Sequence, residues 1–538
     1  MLDMKIINGQ VIDGTGAPSC QADVGVRDGK IVLGSGEDAR EILDARGKYV
    51  CPGFVDAHSH GDGILGTVYG RMCKACQGIT TEVAGQCGES MAPVVPGHLE
   101  DLKAVVAGDV VDYPEEMEGF TDYRTYFNWV SRRPLSANIR LLTGHSSLRA
   151  GVMGYQDRRP EKPEMEQMKM LLREAMEQGS LGLSSGLIYA PGCYADREEL
   201  TELCRVVAEY GGIYTSHMRN ESDDVVNGVK EALTIGREAG VPVFISHHKI
   251  CGVPNWGKSV ETLKLVEEAR QAGQQVTLDQ YPYLASMTNM SAVVPPDHFG
   301  EGAAALARRL GERGKGDGLW RKIAGEIENR QDFENQYRNC GGWEHILISS
   351  LPETKEYEGM TVAEAARRMG RDGTEAYLEL FVRNKGRGNF IYFSMCEEDL
   401  CRIFQNPNVC VGTDGLCRGM EEKGHPRAWS SFPHAIAYFQ KEKKLLTLEE
   451  MIHKITLLPA QRTFLEGRGA IRDGWAADLV ILDYDHLEDR ADYLHSNVPA
   501  GGIDCVLVNG QMVYQDGRLT GKTPGRLLRR GYREDKKC

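Results

Sequence analysis

The sequence predicts an α/β fold, a (β/α)8 TIM-like barrel joined to a small β-sandwich built from both ends of the chain. Three observations carry that expectation. Eight short apolar runs rich in β-branched residues alternate with amphipathic, charged stretches through the middle of the chain. Both ends are instead series of short strand candidates punctuated by Asn-Gly and Asp-Gly dipeptides, which favour tight hairpins. Finally, 538 residues are too many for one ordinary core but suit a large barrel with an accessory domain.

Residues 5–7, 11–12, 23–26 and 30–33 read as strands separated by Asn8-Gly9, Asp13-Gly14 and Asp28-Gly29. Residues 478–482 and 505–508 repeat the pattern, with Asn509-Gly510 and Asp516-Gly517 as turns. Residues 1–52 and 466–538 are therefore expected to meet in one sandwich. Between them, over 53–465, barrel strands are expected at 53–55, 80–83, 139–142, 181–183, 213–215, 243–245, 275–278 and 409–411. The intervening 163–178 and 195–210 show helical apolar spacing and Glu/Arg-rich faces. Residues at about 285–345 break the alternation between strands seven and eight. Rich in Gly, Arg and Glu, they predict a small helical insertion at the barrel mouth, a candidate lid, because long structureless loops are uncommon in compact proteins.

Hydrophobic residues at 41% and charged residues at 26% mark an ordered globular chain. A net charge of −14 argues against a nucleic-acid or anionic-membrane partner. The one basic stretch, 526–537, reads as a solvated tail. No run is long and apolar enough to cross a membrane, and residues 1–7 lack the features of a secretory signal. The 15 cysteines are scattered, which suits reduced thiols in a cytoplasm. The oligomeric state is left open.

Metal-competent side chains recur at one place in this frame. His58 and His60 end strand one, and alternation along a strand puts both on one face. Cys87 follows strand two, His217 strand five, His247 strand six and Asp414 strand eight. Barrel sites are assembled at the C-terminal ends of the strands. Alone, each residue would more often be structural. Six in barrel order predict a divalent cation site, and a thiolate among imidazoles favours zinc.

The motifs carry a resemblance. The stretches are Pro52-Gly53-Phe54-Val55-Asp56-Ala57-His58-Ser59-His60, Gln86-Cys87-Gly88, Gly182-Leu183-Ser184-Ser185-Gly186-Leu187-Ile188-Tyr189-Ala190-Pro191-Gly192 and Ser216-His217-Met218-Arg219-Asn220-Glu221. They continue with Ser246-His247-His248-Lys249, Asp279-Gln280-Tyr281-Pro282-Tyr283, Gly412-Thr413-Asp414-Gly415 and His425-Pro426-Arg427. Over nearly its whole length the chain resembles the amidohydrolase superfamily, and within it the N-acyl-D-amino-acid deacylases (D-aminoacylases). Most amidohydrolases bridge their metals with a carboxylated lysine; Cys87 instead resembles the deacylase subgroup. The resemblance implies a tight zinc on Cys87, His217 and His247. It also implies a second, weaker site on His58, His60 and Asp414 that shares Cys87. Lys249, Tyr281 and Arg427 would bind the α-carboxylate of a small N-acyl amino acid, and Tyr189 would donate to the scissile carbonyl. D-stereochemistry comes from the resemblance alone.

Asp414, the last metal-facing group in barrel order, is the expected general base and acid. Lys249 follows His247 by two residues and Arg427 lies in the loop after Asp414, so both can reach the mouth; the competing reading is a surface ion pair for each, and core packing for Tyr189. Arg219 is a further mouth cation, or a support for ligands. His145 and His248 read as structural, and Glu89 and Glu221 as possible supports for the ligands. Side-chain preference would depend on the insertion and on loop 415–428, which contains Arg418, Glu421, Glu422 and Lys423. Three other functions compete: a cyclic amidohydrolase of hydantoinase or dihydroorotase type, a catalytically dead scaffold, and a hydrolase with Cys87 as nucleophile.

Overall fold

The computed structural model describes residues 1–108, 113–315, 317–417, 419 and 422–531. The eight barrel strands are Phe54–Asp56, Ile79–Ala84, Asn138–Leu141 continued by Thr143–Gly144, Gly182–Gly186, Ile213–His217, Val243–Ile245, Val276–Gln280 and Val409–Val411. Each pairs in parallel with its neighbour in sequence order. The ring closes where Ala57 N donates to Val411 O (3.4 Å) and Ser59 pairs with Gly415. All residues of these strands are buried, which is why they read as continuous apolar runs rather than alternating ones. The helix Lys162–Glu177 shows how the outer layer packs. Pro163 and a Glu161/Glu164 capping box start it, and Met165, Met168, Leu172 and Met176 recur at helical spacing on its buried face.

The two ends of the chain form two sheets. One is four-stranded; the other is seven-stranded and mixes Gln10–Val11, Cys20–Gln21 and Tyr49–Pro52 with four strands from beyond residue 478. Their shared core sets Met4, Ile6 and Val26 against Leu479, Ile481 and Leu507.

Two expectations need correction. The segment between strands seven and eight is neither small nor purely helical. Ala285–Asn289, Ile346–Ser350 and Asn389–Phe393 form a three-stranded antiparallel sheet, so the insertion runs on to Phe393. It has its own core, including Trp320, Ile323, Tyr377, Phe381 and Phe390. Its strands pair across long sequence gaps, so the composition of 285–345 shows only the helices between them. Nor is the basic stretch simply solvated. Ile139 N donates to Arg526 O (2.9 Å), Leu528 N to Ile139 O (2.7 Å) and Arg530 N to Gly179 O (3.0 Å). The stretch buries backbone against strand three; its remainder, 532–538, lies outside the described residues, as do Arg418 and Glu421. Among the described residues, no helix is long and apolar enough to cross a membrane.

Candidate metal centre and substrate pocket

The turn carrying His58 and His60 is pinned from below by a buried ion cluster. Lys74 Nζ lies 3.2 Å from Asp56 Oδ2 and 3.0 Å from Glu82 Oε2, and the Ser59 hydroxyl donates to Glu82 (2.6 Å). Thr413 donates to Asp56 through its backbone N (2.8 Å) and its hydroxyl (2.7 Å), tying strand eight to strand one. A Cβ on Gly412 would sit 2.5 Å from the His58 Cβ and 2.8 Å from Asp279 Oδ1, so only glycine allows this approach. Cys87, His247 and Asp414 all hold left-handed backbone, with φ of 52°, 34° and 48°. Such positions cost about 1–3 kcal/mol each and persist where the surrounding fold imposes them.

The six predicted donors converge. Donor atoms of His58, His60, Cys87 and Asp414 lie within 4.8 Å of one another, as do those of Cys87, His217 and His247. Cys87 belongs to both groups: its Sγ is 3.4 Å from His58 Nε2 and 3.4 Å from His247 Nε2. His60 Nε2 is 3.1 Å from Asp414 Oδ1. Both ring nitrogens of buried His217 lack a hydrogen-bond partner, and burial pushes its imidazole below the usual range, towards the neutral form that binds metals. Burial would raise the Cys87 thiol, but the charges of His58 and His247 outweigh it and hold it well below its ordinary value.

Two carboxylates orient the imidazoles. Asp279 lies 3.3 Å from His58 Nδ1 and accepts the His247 backbone N–H (2.8 Å). Glu221 Oε1 is 3.1 Å from His247 Nδ1, while its Oε2 pairs with Lys249 Nζ at 2.6 Å. Burial opposes charge on Glu221, but Lys249 foremost keeps it ionised, well below the carboxylate range. Glu334, from the insertion, accepts the Glu221 backbone N–H. Asp279 stands at the end of an apolar strand, as Asp56 does, and that position alone assigns it no role. Glu334 left no local signal.

Lys249, Arg427 and Tyr189 line a cavity of about 40 Å³ together with His60, Cys87, His217, His247 and Asp414. Neither cation is a surface ion pair, since both are buried. Arg427 Nη1 lies 2.8 Å from Asp414 Oδ2, but its N–H is misaligned and makes no hydrogen bond. The Tyr281 ring lies beneath both cations, 4.8 Å from the Arg427 guanidinium and 5.8 Å from Lys249 Nζ. Its buried hydroxyl lacks a partner, although Tyr281 is absent from the cavity wall. The Tyr189 hydroxyl bonds Thr288 Oγ1 (2.8 Å) of the insertion, and its ring centroid is 5.0 Å from that of His217. A wider cavity of about 1260 Å³ shares the walls Glu89, Ile188, Tyr189, Asn289 and Asn389 and opens between barrel and insertion.

Other candidates stand apart. His145 bonds Glu199 (2.8 Å) and His248 bonds the Thr262 hydroxyl (2.9 Å), both away from the donors. Arg219 is held by Glu231 (3.0 Å) and the carbonyls of Cys193 and Ala195, and it lines only the wider cavity.

With this geometry in place, comparison with known proteins is specific. The chain is 36% identical to the N-acyl-D-glutamate deacylase of Alcaligenes xylosoxydans xylosoxydans, over 98% of this chain and 97% of that one. It is 34% identical to the D-aminoacylase of the same organism, over 98% of both chains. A crystal structure of N-acyl-D-glutamate deacylase from Bordetella bronchiseptica, complexed with zinc and a phosphonate mimic of the tetrahedral intermediate, superposes with a TM-score of 0.82 at 35% identity. That match covers 98% of this chain and 99% of the other. The family model described as "Amidohydrolase family" matches residues 41–247 and 402–514, which hold barrel strands one to six and eight with all six candidate metal ligands, and the chain belongs to that family.

Proposed function

We propose that the chain is a zinc-dependent N-acyl-D-amino-acid deacylase, which hydrolyses a linear amide to a carboxylate and a free D-amino acid. The observation that carries this is Cys87, shared by two donor groups, on a wall that also holds Lys249 and Arg427. The likeness to D-aminoacylase and N-acyl-D-glutamate deacylase supports the substrate class, and D-handedness rests on those relatives alone. The unpartnered nitrogens of His217 and the soft thiolate of Cys87 fit zinc. Cys87, His217 and His247 would hold one ion tightly, and His58, His60 and Asp414, sharing Cys87, a second more weakly. Bound there, zinc supplies the Lewis acidity that amide hydrolysis needs.

The chain's own residues do the rest. Asp414 takes the proton of the attacking water and returns it to the leaving nitrogen, without which the amine is a poor leaving group. Arg427 and Lys249 exchange Asp414 and Glu221 for the substrate α-carboxylate, and the free Tyr281 hydroxyl donates a third hydrogen bond. Tyr189 turns its hydroxyl from Thr288 to the amide carbonyl. Glu221 and Asp279 hold the imidazoles in orientation. Strand four ends in Ser184-Ser185-Gly186, with no lysine to be carboxylated, which counts against the cyclic-amidohydrolase reading. Among the described residues no cysteine is in a disulfide, in keeping with a cytoplasmic enzyme.

The test is a panel of N-acetyl D- and L-amino acids and cyclic imides, with metal content measured on the same sample. Turnover of D-substrates by zinc-loaded protein is expected; turnover of cyclic imides alone would overturn the reading. Asp414→Asn that retains zinc is expected to lose about 10²–10⁴ in kcat, and near-normal turnover would remove Asp414 as base and acid.

A further inference from the structure

On the face of the inner cavity supplied by the insertion, Ser286, Thr288, Asn289, Gln336 and Asn389 are uncharged and polar, and Met287 is the one apolar residue. Gln336 is 4% exposed and Asn389 is 1% exposed, and each has a buried amide oxygen without a hydrogen-bond partner. Gln336 Nε2 donates to Glu334 Oε1 (3.0 Å), which leaves Gln336 Oε1 for the cavity. Asn289 offers the opposite chemistry. Its Oδ1 accepts the Ser291 hydroxyl, leaving Nδ2 as a donor, and it stands opposite Asn389 in the antiparallel register. The wall thus holds two acceptors and a donor, built on a paired strand and an adjoining helix.

The two cations lining this cavity already have counter-ions, Glu221 for Lys249 and Asp414 for Arg427. A substrate α-carboxylate takes up both. A second carboxylate would enter a cavity lined by Glu89, Glu221 and Asp414, with no cation of that cavity left for it. Arg219, Lys355, Lys385 and Arg387 line only the wider outer cavity. A primary carboxamide presents the complement of the wall: two N–H donors, one carbonyl acceptor and no charge.

We propose that this subsite recognises a primary carboxamide on the substrate, so that N-acyl-D-glutamine and N-acyl-D-asparagine are preferred over their acidic and aliphatic counterparts. The assignment rests on the deacylase reading and adds a substrate class to it. A site built from hydrogen-bonding groups rejects analogues that cannot satisfy them.

The experiment compares kcat/KM of the zinc-loaded enzyme for N-acetyl-D-glutamine, N-acetyl-D-asparagine, N-acetyl-D-glutamate and N-acetyl-D-methionine. N-succinamoyl-D-alanine, with the carboxamide in the acyl group, completes the set. A preference of about tenfold or more for a carboxamide substrate is expected, and the faster of the two carboxamide types shows which end of the substrate occupies the subsite. In Gln336→Leu the ratio of glutamine to methionine substrate should fall by about tenfold, a ratio that a general loss of folding would not change. Glutamate or methionine substrates equalling the carboxamides would overturn the assignment while leaving the deacylase intact. Hydrolysis of no N-acyl-D-amino acid would remove both.

Discussion

Arg427 Nη1 sits 2.8 Å from Asp414 Oδ2 with no hydrogen bond aligned between them. Burial opposes charge on Asp414, yet Arg427 is the first of several cations that hold it well below the carboxylate range. An arginine that leaves this contact for a substrate carboxylate therefore also frees the base it was restraining. Arg427→Met should raise KM by about tenfold or more and move the acidic limb of the kcat/KM profile to higher pH, because Asp414 loses its nearest cation. A profile whose acidic limb stays in place would break the proposed link.

Chelation separates metal from thiolate chemistry. Cys87 lies between two imidazoles and is easily ionised, so it satisfies the electrostatics of a nucleophile as well as of a ligand. Activity should vanish with a strong chelator and return on adding zinc. Activity that survives chelation but is lost to a thiol reagent would favour covalent catalysis by Cys87.

Gly412→Ala tests the packing beneath the donors. The added methyl would meet His58 and Asp279 at distances no Cβ tolerates, so the ring must move. The variant should lose about 1–3 kcal/mol of stability and bind zinc at the His58/His60/Asp414 group more weakly, as read by denaturant melts and metal titration. Wild-type behaviour in both would show that the ring has room.

His248 makes a pH prediction away from the cavity. Burial pushes its imidazole down to about 4. The unfolded chain, near the usual 6.5, then binds more protons than the folded one between those values, so stability from this group is present above pH 6.5 and is lost as pH falls towards 4. His248→Gln, which keeps a partner for Thr262, should make that loss shallower by about 2 kcal/mol in urea melts at pH 7 and pH 4.5. Parallel curves for variant and wild type would contradict it.

The barrel and the gathering of six metal-competent side chains at its mouth are legible because each signal is local: a short apolar run, then a metal-competent residue. What stayed hidden depends on contacts between distant segments. Lys249 was readable as a cation at the mouth, but not its commitment to Glu221. Gln336 and Asn389 look like ordinary surface amides until the insertion's sheet folds Asn389 beside Asn289 and brings the helix Gln336–Cys340 onto the same wall. The extent of the insertion is hidden in the sequence for the same reason, its last strand lying far from its first.

Tyr49–Pro52 finds its antiparallel partner in Leu479–Leu482, and Gly53 N donates to Asp478 O at the threshold of strand one. During synthesis the early segment leaves the ribosome hundreds of residues before that partner exists. The sheet edge at Val50 and Cys51 must wait, exposed or chaperoned, until Leu479–Leu482 has been made. A premature stop anywhere before Leu479 would therefore release a chain in which Tyr49–Pro52 keeps one edge without its antiparallel partner.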